Sequence, residues 1–511
     1  MSNASGGAGR RRFLTQVGLT AASASLLSAN SMALTGVIPG GAIPDDIVFT
    51  SAKRLAALIR TKQASSMEVT KAYLARIAVV NPKTHAVVQL CAERALAEAA
   101  ECDQLMARGI SKGLLHGVPC TIKDSFDTEG VITTIGSSGR KNFVPDKDAT
   151  VVARVRNAGA ILLGKTNTPE FTLSRYTDND VYGRTYNPYK LTHSPGGSSG
   201  GAGANVASGG AAFDIGSDSG GSVRWPAHFN GVAGLKPTQG RVPRTGQVPS
   251  FAGMFDSFQQ IGPLARWVED LIYLLPILAG PDHIDPSIYP VALGSPADVD
   301  ISTLRIAYYT DNGSSVIPTP ETVAAVERAA KHFASLGAKV TQDAPNDLLI
   351  QLAKIRGGIQ RGDGGAWVER MAERAGTTKT SPLTSRGSTP ITTPQFTDLL
   401  EQLDNCRSKL LGWFTNQYDL IVCPVHPTPA ELYLPNGQYP PAAAPGGPTN
   451  PGYTGVYNTT GWPSAVVRAG TSPDGLPIGI QMIARPWHEH VSLAAAAHLE
   501  AHTGGWQKPP I

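Results

Sequence analysis

Apolar residues recur along the chain with two rhythms. From Pro320 to Leu336 they fall at Val323, Val326, Ala330 and Phe333, three or four apart, which predicts a helix with one buried stripe. Ser51 to Arg60 reads as another helix, with Thr50 placed to cap it. Ser65-Ser66-Met67-Glu68 is a capping box, a serine cap with a glutamate three later, ahead of a helix over Val69 to Val80. Ala92 to Arg108 predicts a third helix near the N-terminus, stopped by Gly109. The second rhythm is a set of short apolar runs that end in polar residues or glycine: Gly117 to Ile122, Ala160 to Leu163, Ala211 to Ile215 and Leu304 to Tyr309. Runs this brief suit buried strands. Helices alternating with such strands predict an α/β fold, a mixed central β-sheet flanked by helices on both faces.

Two stretches, Thr377 to Thr393 and Pro440 to Pro451, read as loops, the second rich in proline and glycine. No internal repeat and no linker interrupts the body, so residues 45–511 are expected to form one large domain. No apolar run reaches the roughly 18 residues that span a bilayer. The nearest, Leu271 to Ala279, is short and broken by Pro276, so no stable membrane insertion is expected.

Charge narrows the partners. The 511 residues carry 44 Lys and Arg against 40 Asp and Glu. Three of the basic residues, Arg10, Arg11 and Arg12, fall in residues 1–33, which hold no acid, leaving 41 basic against 40 acidic groups. A body so near neutrality has no electrostatic footprint for nucleic acid. The basic head is followed by a short, weakly apolar stretch, Val17 to Ala29, and by Ser31-Met32-Ala33, a small-x-small exit. This describes an export signal over residues 1–33. Arg10-Arg11 with Phe13-Leu14 resembles a twin-arginine signal, which implies a periplasmic protein. The five cysteines show no CxxC and no histidine partner at metal-ligand spacing. They read as buried thiols, and neither a metal nor a cofactor is called for.

Three places carry candidate chemistry: Thr121-Ile122-Lys123-Asp124 at the end of an apolar strand, Ser194 to Gly201, and Gly216 to Arg224. Each has an ordinary explanation alone. A lysine that ends a strand is usually a solvated charge, and Gly/Ser clusters are usually flexible loops. Gly196 to Gly200 and Gly197 to Gly201 both fit G-x-S-x-G, a weak nucleophile-elbow signal in a segment so dense in both residues. A phosphate-gripping loop would need a lysine after the glycines, and none is there.

Jointly they are far more specific. Ser198 and Ser222 lie 24 residues apart and Lys123 lies 75 before the first of them. In this spacing, and in Asp218-Ser219-Gly220-Gly221-Ser222-Val223-Arg224-Trp225-Pro226-Ala227, the chain resembles the amidase signature family. Gly234 to Thr238, Gly240 to Val242, Asn458 to Pro463 and Gly475 to Gln481 extend the resemblance, which covers roughly 50–280 and 415–500.

The resemblance implies hydrolysis of a carboxamide C–N bond in a small-molecule or peptide substrate. Ser222 would be the nucleophile, Ser198 the bridge, on a cis peptide after Gly197, and neutral Lys123 the base. The backbone N–H groups of Ser219, Gly220, Gly221 and Ser222 would form the oxyanion hole. Ser199, Asp218 and Arg224 would be supporting, the last two by fixing the loop. A serine hydroxyl is a poor nucleophile until a base takes its proton, and a lysine does so only when burial lowers its pKa.

Arg175 and Tyr176 depart from the family's usual residues beside Thr177, Asn179, Asn187 and Pro188. Trp225, Phe143 and Trp367 are candidate pocket walls or ordinary core aromatics. His193 and His228 lie near the motifs and read as structural. Residues 281–415 align to nothing and are expected to shape the substrate entrance. Two other readings share these motifs: an amidotransferase component that releases ammonia from glutamine, and a binding protein that has lost the chemistry. Dimers are common in the family, which leaves the oligomeric state open.

Overall fold

In the computed structural model, residues 47–511 are described except 250–252, 254–255, 314–316, 382–383, 385–387 and 435–451. The proposed export signal and the Pro440 to Pro451 loop lie outside the described residues. Eleven strands make one sheet: β1 Val87–Leu90, β2 Pro119–Lys123, β3 Ile161–Thr166, β4 Phe213–Asp218, β5 Ala233–Lys236, β6 Gln260–Ala265, β7 Arg305–Tyr308, β8 Lys339–Gln342, β9 Leu420–Pro424, β10 Ser464–Thr471 and β11 Pro477–Ala484. Their order is β1-β3-β2-β4-β6-β5-β10-β11-β9-β7-β8. β2 pairs parallel with β3 and β4, and β7 parallel with β8 and β9. The other neighbours are antiparallel, so the sheet is mixed.

Alternate residues of single strands enter different cores. Leu420 and Val422 of β9 pack in the largest cluster, while Ile421 and Cys423 join one formed with Leu352, Ile355, Leu410 and Phe414. A strand whose two faces are both dry must be covered on both sides, and this is why the central strands read as unbroken apolar runs. The Ser65 box caps helix Ser66–Thr84, with both reciprocal bonds to Glu68 present. Helices Ala92–Ala107 and Pro320–Ser335 lie within a residue or two of their predicted limits. The first helix, Ala52–Arg60, is capped by Ser51 and not Thr50, because the Ser51 side chain accepts the Arg54 N–H at 3.2 Å. The loop expected to end at Thr393 ends at Thr392, which caps the 25-residue helix Thr393–Gln417. Leu271 to Leu278 belongs to helix Val268–Leu278, packed on the sheet, and Ala279 is its C-cap. No described helix is long and apolar enough to cross a membrane. Of the five cysteines, four are buried and Cys91 is half-buried.

Candidate active site

β2 runs fully buried to its last residue and ends at Lys123, which is 0% exposed. Its Nζ lies 2.6 Å from Ser198 Oγ and 3.0 Å from Ser217 Oγ. Burial pulls its pKa down from 10.5 to about 7, against the opposing pull of the Asp218 and Asp214 charges. Ser217, on β4, was not singled out from the sequence; it lies just before Asp218 in the motif.

Ser198 sits in the turn before helix Gly200–Ala207, and the Gly197–Ser198 peptide is cis. This turn is glycine-rich because it is squeezed. A Cβ on Gly197 would stand 2.7 Å from the Arg175 carbonyl carbon, and one on Gly201 2.4 Å from the Asn167 backbone nitrogen. Thr177 ties the turn, donating its hydroxyl to Gly196 O (2.9 Å) and accepting the Gly200 N–H (3.1 Å). Ser199 joins the two serine loops: its N–H donates to Ser222 O at 3.2 Å, and its hydroxyl meets the Ser217 backbone.

The turn after β4 is held by a buried ion pair. Arg224 Nε lies 3.0 Å from Asp218 Oδ2, both side chains 0% exposed. Burial alone would raise the Asp218 pKa, but the Arg224 charge and hydrogen bonds outweigh it and hold the carboxyl well below its ordinary range. Asp218 also accepts the N–H groups of Gly221 (2.7 Å) and Val223 (3.1 Å). Arg224 reaches on to Asn458 Oδ1, Gln481 Oε1 and Thr454 O, which explains what the C-terminal motif stretches are for.

Four successive peptide carbonyls around this turn are gripped from behind. Asn458 Nδ2 donates to Asp218 O (2.8 Å), Arg356 Nη2 to Ser219 O (2.5 Å), Thr454 Oγ1 to Gly220 O (2.7 Å) and the Trp225 N–H to Gly221 O (2.6 Å). The N–H groups of Ser219, Gly220 and Ser222 meet no acceptor among the described residues. Gly221 departs from the expected donor set: its N–H is committed to Asp218. Ser222 itself is half-buried.

With this geometry in view, the comparisons decide the lineage. The amidase family model matches residues 68–493. The chain belongs to the amidase family. It is 35% identical to an acylamidase of Rhodococcus erythropolis, over 88% of this chain and 95% of that one. It is 31% identical to human fatty-acid amide hydrolase 2, over 91% of each chain. It is 33% identical to a component chain of the glutamyl-tRNA(Gln) amidotransferase of Heliobacterium modesticaldum, over 90% of this chain and 98% of that one. The structure of 6-aminohexanoate cyclic dimer hydrolase complexed with substrate superimposes with a TM-score of 0.79 at 30% identity, covering 91% of this chain and 99% of that one. The protein is accordingly an enzyme acting on amide C–N bonds.

The remaining candidates of this amidase separate cleanly. Trp225 flanks the turn, since a Cβ on Gly221 would lie 2.9 Å from its Nε1. Phe143 is 45% exposed beneath the Arg140 guanidinium, and Trp367 is buried in a cluster with Phe171 and Leu173, so neither reads as a pocket wall. His228 is buried, its Nδ1 accepting the Gly479 N–H and its Nε2 donating to Thr428 O. Burial lowers its pKa to about 4 and keeps it neutral. His193 is half-buried, and burial lowers its pKa too. Arg175 and Tyr176 share Glu431, the Tyr176 hydroxyl donating to it at 2.6 Å and the guanidinium lying at 3.4 Å.

Proposed function

We propose that this amidase cleaves a carboxamide through an acyl-enzyme on Ser222. Neutral Lys123 accepts the Ser198 hydroxyl proton as Ser198 accepts the one on Ser222, and the freed Ser222 oxygen adds to the substrate carbonyl carbon. The negative charge that develops on the carbonyl oxygen is met by the N–H groups of Ser219, Gly220 and Ser222, which have no acceptor among the described residues. The proton returns through Ser198 to the departing nitrogen as the C–N bond breaks. Water then hydrolyses the ester, with the same relay taking and returning its proton. The observation that carries this reading is the fully buried Lys123 amine at 2.6 Å from the Ser198 hydroxyl. The test is a panel of amides that varies the acyl group and leaving amine and includes glutamine, run on wild type and Ser222→Ala. The variant is expected to fold and to lose all turnover, and turnover retained by it sinks the proposal.

The amidotransferase reading has a 33% identical relative on its side. The near-neutral body and the proposed export signal favour a lone exported hydrolase instead. Hydrolysis of glutamine and of no other amide in the panel would reverse that preference. Export to the periplasm rests on the Arg10-Arg11 signal. Replacing both arginines with lysine is expected to leave the protein in the cytoplasmic fraction.

A further inference from the structure

The segment 281–415, which the sequence motifs do not align but which lies inside the family match over residues 68–493, brings a cation against the nucleophile turn. Arg356 lies on helix Asn346–Arg361, and its Nη2 donates to Ser219 O at 2.5 Å. The slot for this guanidinium is built from absent side chains. A Cβ on Gly220 would lie 3.0 Å from Nη2, and one on Gly455 3.2 Å from Nη1, while the ring of Phe258 lies 5.8 Å away. Asp218 O, Gly220 O and Gly221 O are gripped by an amide, a hydroxyl and a backbone N–H, all neutral. Ser219 O is the one of the four gripped by a charge.

In a planar trans peptide the C=O and the following N–H point in opposite directions. Fixing Ser219 O on Arg356 therefore fixes the Gly220 N–H facing away from it, where it meets no described acceptor. A cation on the carbonyl also polarises that peptide, so its N–H becomes a stronger donor. We propose that Arg356 is a positioning residue for the oxyanion hole, orienting and polarising the Ser219–Gly220 peptide. This rests on the acyl-enzyme reading above. It gives the segment 281–415 a part in the rate.

The effect should appear in the transition state, where charge develops, and not in ground-state binding. Steady-state hydrolysis of an aryl amide such as p-nitroacetanilide, or of whichever panel amide the wild type turns over fastest, is measured for Arg356→Ala and Arg356→Gln. Arg356→Ala is expected to lose about 10- to 100-fold in kcat, part of the 10²–10³ that removing a hole donor costs. KM stays within about twofold, and added methylguanidinium restores part of the rate. Arg356→Gln keeps a neutral N–H donor and falls between. Should the alanine variant not fold, the glutamine variant decides by the same kcat and KM split. A kcat at the wild-type level, a loss confined to KM, or a folded alanine variant that methylguanidinium does not rescue overturns the proposal. Ser222→Ala, assayed alongside with methylguanidinium, distinguishes the failures: turnover by that variant removes the acyl-enzyme reading itself.

Discussion

Replacing Lys123 with methionine tests the proposed buried base through stability as well as rate. The side chain has no exposure, so its depressed pKa is a statement about folding. Below pH 7 the lysine is charged in the folded and unfolded chains alike, and the fold bears the whole cost of burying it. The gap between about 7 and 10.5 corresponds to about 5 kcal/mol. Between those two values the folded protein has released the proton and the unfolded chain has not. The wild type therefore gains stability as pH rises, by about 1.4 kcal/mol per pH unit, and the gain levels off above 10.5. A thioether at this position has no such slope. It also forfeits the bonds to Ser198 and Ser217, at about 1 kcal/mol each, so Lys123→Met is expected to be about 3 kcal/mol more stable than wild type at pH 6. Denaturant unfolding of both proteins from pH 6 to 9.5 reads the difference, in which the titrating groups other than Asp214 largely cancel. That difference should shrink by about 3 kcal/mol between pH 7.5 and 9.5. Amide hydrolysis by the wild type should follow the neutral amine, about a tenth of its plateau at pH 6 and about nine tenths at pH 8, and Lys123→Met should be inactive throughout. A stability difference that does not change with pH, or a wild-type rate flat across pH 6 to 9, refutes the reasoning.

Asp218→Asn leaves Arg224 buried without its counter-ion and is expected to cost about 3–5 kcal/mol; an unchanged urea midpoint at pH 7 would show that the pair does not hold the turn. Gly201→Ala places a methyl 2.4 Å from the Asn167 nitrogen and 2.6 Å from its oxygen, both backbone. It should destabilise by about 1–3 kcal/mol or more, with a matching drop in melting temperature. Asp214→Asn removes one of the charges that favour protonated Lys123, so the midpoint of the pH–rate profile should move to lower pH, and a shift upward would contradict that assignment.

Short-range signals in the sequence carried over well. The Ser65/Glu68 box needs contacts only three residues apart, and it stands. The same logic applied to Thr392 and Gln395 would have found the helix Thr393–Gln417, whose capping box has the same form with Gln in the third position. Strands were less legible where burial is not apolar. The run Ala211 to Ile215 predicts a strand that stops at the isoleucine, yet β4 continues through Gly216, Ser217 and Asp218, all buried. Those polar residues tolerate burial because Lys123, Arg224 and Asn458 satisfy them. β8 escaped notice for the opposite reason: Lys339–Gln342 is an edge strand, mostly exposed, and has no apolar run. At the site, Ser198, Ser222 and Lys123 could be named because their motifs and spacing resemble the family's, although Lys123 lies 75 residues before Ser198. Asn458, Thr454 and Arg356 could not be given roles, since they meet the turn across 137 to 240 residues. Asn458 opens a stretch that the resemblance marks, but nothing near Thr454 or Arg356 in the chain records their contact.

The two acids beside the lysine explain how its amine can lose a proton next to them. Asp218 stays ionised, but Arg224 lies against it, so much of its charge is already matched before Lys123 feels it. Asp214 has no such partner among the described residues. Burial raises its pKa to about 7, and the hydroxyls of Thr121 (2.6 Å) and Thr166 (3.0 Å) only moderate the rise. A carboxyl already half protonated near neutrality is a weak anchor for a neighbouring ammonium. One acid is therefore neutralised by a cation and the other by its own proton, so the amine can release its proton near pH 7. Because Lys123 and Asp214 titrate in the same range and feel each other's charge, the midpoint seen in a pH–rate profile belongs to the pair. The ion pair Asp218–Arg224 thus acts twice. It shapes the turn that presents Ser222, and it limits the negative charge that would otherwise keep the proposed base protonated.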